Sequence, residues 1–495
     1  MRSRIGQALL SVGLLAGIPA TAAAQETIPT NEAPTLAQQM RTQAQQIETQ
    51  QAEIDALQEQ LQEMSAILSS RVDRVETQTE NGRVNLANPG PRLEGPNGRN
   101  SFNLIGAVQA TFSSAESEGD GPTSPALNGG TEIKRARIGV QGVAFNDFAY
   151  QAEFDLAASG TVASAARDLY VQYNGWRPLA VTVGNIKPLT GLEASFSDRS
   201  NAQTFVEGSM LTSMITAPGT RYIGVRVSTG GPQWSGTLGL YGDDVNNNGV
   251  ALPTEEGYGV NGRFTIAPIV GPDALLHLGV SGYWREVATG RATTSDPIVS
   301  QLRIRAQPES TVDAARLVDT GNLSFADTVQ LVAAEAAAFR GPFGFQAEWA
   351  RMDVSQLAGR PDLQFSGAYA GANWFLTGES RVYDPRTGVF TRFAPASPFD
   401  PGQGGWGAWE LAARWSTLDL NSAENVGAGA ALHGVRGGEE TNYTLGLNWY
   451  WNPYFRMMLN YVRADADNET NTFPGPGAQE GATADIVALR VQQEW

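Results

Sequence analysis

The sequence predicts an all-β fold, a 16-stranded antiparallel transmembrane β-barrel preceded by a periplasmic coiled-coil helix. Three observations carry that reading. From Ser101 onward, apolar and polar residues alternate in short segments with the period of two that a strand with one apolar face requires. Aromatic residues crowd the turn at the best of these segments, as they do at a membrane interface. Long connections fall at one end of the segments and short ones at the other, the pattern of an outer-membrane barrel. After the N-terminal leader no stretch reaches the roughly 18 uninterrupted apolar residues of a spanning helix, so a membrane crossing here needs a closed barrel.

Residues 1–24 read as a secretory signal peptide: Arg2 and Arg4, an apolar run from Ala8 to Ile18, and Ala22-Ala23-Ala24 as the cleavage site before Gln25. The chain has no cysteine, which removes disulfide and thiolate chemistry and argues against a lipid anchor. Residues 25–98 hold a heptad. Met40, Ile47, Ile54, Leu61, Leu68 and Val75 fall seven apart, and Leu57 and Met64 supply the second half of the seam. A helix from Leu36 to Thr79 would span roughly 66 Å. Gln43, Gln50, Arg71 and Gln78 leave the seam polar, so two readings stand: a coiled coil whose association is imposed by a folded domain downstream, or a solvated linker helix. Pro89, Gly90, Pro91, Gly95, Pro96 and Gly98 end it and mark a boundary before a barrel over 99–495.

The hairpin at 441–464 shows the barrel's design. Tyr443, Leu445, Leu447, Trp449 and Trp451 form one face, against Thr444, Gly446, Asn448 and Tyr450 on the other, and aromatics surround the turn at Asn452-Pro453. Taken alone it also fits a β-sandwich. Fourteen companion segments alternate between 101 and 495; a further candidate, 299–306, would throw the short turn at Arg340-Gly341-Pro342 to the side of the long loops, so 287–326 is read as one loop. The long loops are then 113–131, 158–166, 188–220, 243–255, 287–326, 354–363, 421–440 and 465–482, with one long inner turn at 377–405. Sixteen strands leave an aqueous channel. The last strand ends on Trp495 on the apolar face, similar to the signal read by the barrel assembly machinery.

The chain resembles the phosphate-selective (O/P-type) porins of Gram-negative outer membranes. The resemblance lies in the stretches beginning at Ile133, Val181, Trp374, Gly404 and Tyr443, the last being YTLGLNWYWNPYFRMMLNYV. It implies a homotrimeric barrel in the outer membrane that passes small anions, with 188–220, 287–326 and 377–405 folded into the lumen. The composition departs from that pattern. There are two lysines, Lys134 and Lys187, and the three inward segments, with Lys187 counted in the first, hold nine basic against ten acidic residues. High phosphate selectivity is therefore not expected, only a modest preference for anions.

Assigning each strand's apolar parity to lipid turns Arg135, Arg137, Arg226, Arg263, Arg285, Arg414, Arg456 and Arg490 to the lumen. The same assignment turns Glu153, Asp155, Asp168, Glu335, Glu348, Glu410 and Glu494 inward. Arg135, Arg137, Arg226, Arg263, Arg414 and Arg456 are the candidate anion track, with Lys187, Arg199, Arg303 and Arg305 at the constriction. Two distant histidines, His277 and His433, and the absence of a Gly-Lys dipeptide leave little for enzyme chemistry. Residues 244–255 match a calcium-loop spacing, with Asp244, Asn246, Asn248, the Val250 carbonyl and Glu255 as ligands. An ordinary polar loop is the simpler reading of the same spacing; otherwise no cofactor is expected. The expected function is an outer-membrane diffusion porin for small hydrophilic solutes. The alternative is a structural anchor whose coiled coil tethers the outer membrane to peptidoglycan. Outer-membrane lipid is the surrounding partner, and no nucleic acid is expected.

Overall fold

The computed structural model describes residues 44–45, 47–52, 54–64, 66, 83–85, 90–95, 98–119, 126–158, 165–196, 200–245, 253–287, 289–290, 299–300, 302–313, 315–422, 434–467 and 481–495. The chain divides into two units, Met1–Gln78 and Thr79–Trp495. In the first, the described residues between 44 and 66 are helical, and the seam residues Ile47, Ile54, Leu57, Leu61 and Met64 lie exposed. The signal peptide, Met40, Leu68 and Val75 fall outside the described residues.

The second unit is a closed antiparallel barrel. Its strands are β1 (Ser101–Gly119), β2 (Gly130–Ala144), β3 (Phe148–Asp155), β4 (Ala166–Tyr173), β5 (Ala180–Ile186), β6 (Tyr222–Gly230), β7 (Trp234–Tyr241) and β8 (Gly259–Val270). They continue with β9 (Ala274–Glu286), β10 (Ala326–Arg340), β11 (Phe343–Gln356), β12 (Leu363–Phe375), β13 (Ala408–Ser422), β14 (Val435–Asn452), β15 (Phe455–Asp467) and β16 (Ala482–Glu494). Each pairs with its chain neighbours, and β16 closes on β1 from Ala482↔Gly119 to Glu494↔Ala107. Below that closure Arg92–Glu94 pairs with Ser101–Asn103, and Arg83–Asn85 pairs with Arg92–Glu94. Residues 305–306 pair only with 318–319 inside their own loop, so the seventeenth segment is not a barrel strand.

Period-two sequence becomes two-faced wall because a strand alternates its side chains across the sheet. On β14, Tyr443 and Leu445 are exposed to the outside whereas Thr444, Asn448 and Tyr450 are buried inside. At the turn end, Trp409 stacks on Trp449 at 5.0 Å, Trp449 meets Trp451 at 4.9 Å, and Trp451 meets Phe455 at 4.7 Å. Apolar rings with one polar edge suit the border between hydrocarbon and water. The terminal Trp495 is tied by paired main-chain hydrogen bonds to Gly106, at 3.0 and 3.1 Å. Its indole lies so close that a Cβ at position 106 would fall 2.3 Å from the ring, which explains glycine there.

Candidate functional site

The lumen is not an open tube. Three segments enter it, and each is pinned by wall residues from across the barrel. Loop 188–220 brings Leu192, Phe196, Phe205, Met210, Leu211, Met214 and Ile215, all buried. The apolar residues at 210–215 form a short helix, Met210–Ile215. Glu193 receives the Ser209 amide at 2.8 Å and the Ser209 hydroxyl at 2.6 Å, which holds the start of that helix. The wall fixes the loop in turn. Glu348 on β11 accepts the main-chain N–H groups of Leu192 (2.6 Å) and Glu193 (2.7 Å) and the Tyr369 hydroxyl (2.5 Å).

The inner turn is seated by complementary contacts. It carries a small hairpin, Val382–Asp384 with Val389–Thr391. Arg263 on β8 binds Glu335 at 2.5 Å and the Gly388 carbonyl at 2.8 Å. His277 bridges the Tyr383 hydroxyl (2.6 Å) and Glu335 (3.0 Å), giving this histidine a structural task. Arg381 reaches back to the Ala202 carbonyl at 2.8 Å and lies 3.6 Å above the Phe390 ring. Asn201 then joins loop and turn through the Phe393 carbonyl at 2.9 Å.

The third segment, 302–323, lies along the wall from β10 to β16. Leu302, Ile304, Ala306 and Val318 pack with β10 to β13, while Leu317 packs with Val462, Ala464 and Ile486. Glu309 accepts from Arg414 at 2.5 Å and from Ser416 at 2.5 Å.

This architecture decides what each candidate arginine does. Arg137 is 5% exposed and held by Asp155 (3.1 Å) and Glu153 (3.3 Å). Arg414 is shared between Glu193 (3.2 Å) and Glu309, and lies 4.3 Å over the Phe205 ring. Arg456 donates to Gln492 at 2.9 Å and to the Gln203 carbonyl at 2.5 Å. Arg226 donates to the Lys187 carbonyl at 3.0 Å, and Lys187 donates to the Phe196 carbonyl at 3.2 Å. Arg135 is half-buried, donates to Gln109 at 2.6 Å and lies 3.8 Å from Glu207. Arg303 grips Asp319, with Nε at 2.7 Å, and Arg305 is exposed. Arg199 lies outside the described residues, as do Asn246, Asn248 and Val250 of the calcium-spaced loop. Of that loop's neighbourhood, Asp243 accepts from Arg285 at 2.5 Å, and residues 253–255, ending in Glu255, form a short strand pairing with 289–290.

Glu207, counted in the sequence only as one loop charge, emerges as a focus. Arg490 binds it at 2.5 Å, and Thr311 lies 3.5 Å away. Burial pushes its carboxyl up, but the Arg490, Arg135 and Lys134 charges outweigh that and hold it down to about 2. Arg381 and Asn201 carry no signal in the sequence, whereas Glu348 is legible there by its inward parity.

The part of the lumen lined by β3 to β7 carries a different surface. Tyr170 donates to Gln151 at 3.2 Å, Thr182 donates to Gln172 at 3.0 Å, and Gln172 donates to Asn174 at 2.8 Å. Gln151, Tyr170, Gln172, Ser228 and Thr237 remain partly exposed, so water reaches this wall.

The profile of the family described as phosphate-selective porin O and P matches residues 102–493, nearly the whole barrel unit. The chain belongs to that family. It is 27% identical over 407 residues to Porin O of Pseudomonas aeruginosa, covering 75% of this chain and 84% of that one. It is 30% identical over 381 residues to an uncharacterized protein of Caulobacter vibrioides, covering 75% of this chain and 70% of that one. Among solved structures, the anion-selective porin from Comamonas acidovorans shares the fold at a TM-score of 0.50 and 12% identity, over 80% of this chain and 100% of that one. The protein is an outer-membrane porin.

Proposed function

We propose that this porin is a diffusion pore for small hydrophilic solutes with a modest preference for anions. The observation that carries the reading is the contrast inside the lumen. Arg137, Arg263, Arg414 and Arg490 are each bound to a carboxylate, while the water-exposed wall is a lattice of amides and hydroxyls. Neutral hydrogen-bonding groups tolerate many solutes. A residual positive field near Lys134, Arg135 and Arg226 biases the passage towards anions, within a Debye length of about 8 Å at physiological salt. Single-channel recording in a planar bilayer with a salt gradient tests this. A small reversal potential of the sign for anion permeation is expected, and a cation-selective channel would overturn it. Absence of conductance would favour the anchor instead.

The assembly is a homotrimer in this reading, exported through the 1–24 signal peptide and inserted by the barrel assembly machinery. The exposed seam at Ile47, Ile54, Leu57, Leu61 and Met64 supports a self-associating coiled coil within 25–98, ahead of the barrel over 99–495. Calcium in loop 243–256 stays a proposal on spacing alone.

A further inference from the structure

We propose that Glu207 is the selectivity-setting residue of this porin, a loop-borne carboxylate that occupies, as a built-in counter-ion, the cationic site a permeant anion would otherwise use. The inference rests on the porin reading above. The site lies where the barrel closes: Lys134 and Arg135 come from β2 and Arg490 from β16, the two neighbours of β1. Glu207 comes from loop 188–220 and is separated from Arg490 by 283 residues of chain.

The position is built on several sides. Arg490 offers Nη2 to the Glu207 carboxylate at 2.5 Å, Nε to the Thr111 hydroxyl at 3.0 Å and Nη1 to the Val206 carbonyl. Arg414 donates to the Glu207 main-chain carbonyl at 3.1 Å, which fixes the backbone that carries the carboxylate. The second carboxylate oxygen faces Arg135 at 3.8 Å. A tethered carboxylate and a diffusing carboxylate or phosphate present the same acceptor oxygens to a guanidinium. While Glu207 is seated, a permeant anion competes with a group whose effective concentration is set by its tether.

Charge counting gives the consequence. Lys134, Arg135 and Arg490 face Glu207 and Glu132, the latter bound to the Thr311 hydroxyl. Removing Glu207 leaves three cations against one anion. Arg137, two residues from Arg135, differs because both its carboxylates, Glu153 and Asp155, are on the wall itself. The acidic partner of Arg135 and Arg490 is instead loop-borne Glu207.

The chain has no cysteine, so Glu207→Cys creates a single thiol on which charge is changed after folding and insertion. In a planar bilayer, E207C raises the anion-to-cation permeability ratio roughly threefold or more at 0.1 M salt, where the Debye length is about 10 Å. A negatively charged methanethiosulfonate reagent returns the ratio towards wild type, and a positively charged one raises it further. E207Q behaves as unmodified E207C, whereas E207D, which keeps the charge, stays near wild type. A wild-type ratio in both E207C and E207Q, or equal shifts with reagents of either sign, overturns the proposal. Wild-type protein supplies a test independent of any variant's folding. Millimolar inorganic phosphate leaves its chloride current nearly unchanged, because the site is filled; a strong phosphate block would show the site open and the proposal wrong. A wild-type barrel that does not conduct refutes the porin reading instead.

Discussion

Two walls of one barrel treat the same solvent-facing position in opposite ways. β3 to β7 are 7 to 9 residues long, and their inward amides, hydroxyls and Tyr170 bond chiefly to one another. β8 to β16 are 12 to 18 residues long, and their inward charges are buried under loop 188–220, loop 287–326 and the inner turn. An arginine on the tall wall therefore holds a loop in place. The low wall is left for water. A lumen-facing cation is thus not by itself an anion site; what matters is whether a carboxylate or carbonyl of the same chain reaches it first.

The contrast is broken most severely at Arg414. Arg414→Ala strands Glu193 and Glu309, both buried, and should cost about 3–5 kcal/mol. Urea unfolding in detergent, followed by tryptophan fluorescence, would show it as a lowered midpoint. Glu348→Ala should cost about 3 kcal/mol in the same assay, because two loop N–H groups and the Tyr369 hydroxyl lose their acceptor. On the low wall, Gln172→Ala should stay within roughly 1 kcal/mol, since water replaces the lost bonds. Similar losses at Glu348 and Gln172 would dissolve the distinction between the walls.

A change in the other direction is expected at Glu440. It lies buried on β14 between the two apolar clusters that loop 302–323 joins, beside the Asn442 amide, and among the described residues neither carboxylate oxygen has a hydrogen-bond partner of standard geometry. Glu440→Gln removes a buried carboxyl that is ionised in the unfolded chain, without changing volume, and should stabilise the barrel by about 1–3 kcal/mol. An unchanged or lowered urea midpoint would show that the carboxylate is compensated.

Selectivity sharpens the comparison with smaller effects. Arg135→Ala should shift the reversal potential towards cations by a few millivolts at low salt and less at high salt, as screening requires. Arg137→Ala should alter stability more than selectivity, because Glu153 and Asp155 lose their shared partner. Equal selectivity shifts from the two would mean that wall carboxylates do not silence an arginine. The smallest effect expected is calcium-dependent protection of 243–256 from proteolysis, abolished by chelator and by Asp244→Ala.

The sequence by itself determined the strands, because the period of two and the lipid-facing parity are local properties that each segment carries alone. It also determined their number, since a wrong count would have thrown the turn at 340–342 to the long-loop side. The inward fold of 188–220 came from the family resemblance, and its buried Phe205, Met210 and Leu211 agree with it, since exposed they would have no place in water. Which charges remain available to a solute was decided only by the tertiary structure. Arg490 and Arg135 were legible as inward, but Glu207 meets Arg490 across 283 residues of chain, and Arg414 meets Glu193 across 221. Such pairings depend on how a loop crosses the lumen at a given height of the closed barrel, a distance relation that no local pattern encodes. Local periodicity names the face of a side chain; only closure and loop seating name its partner.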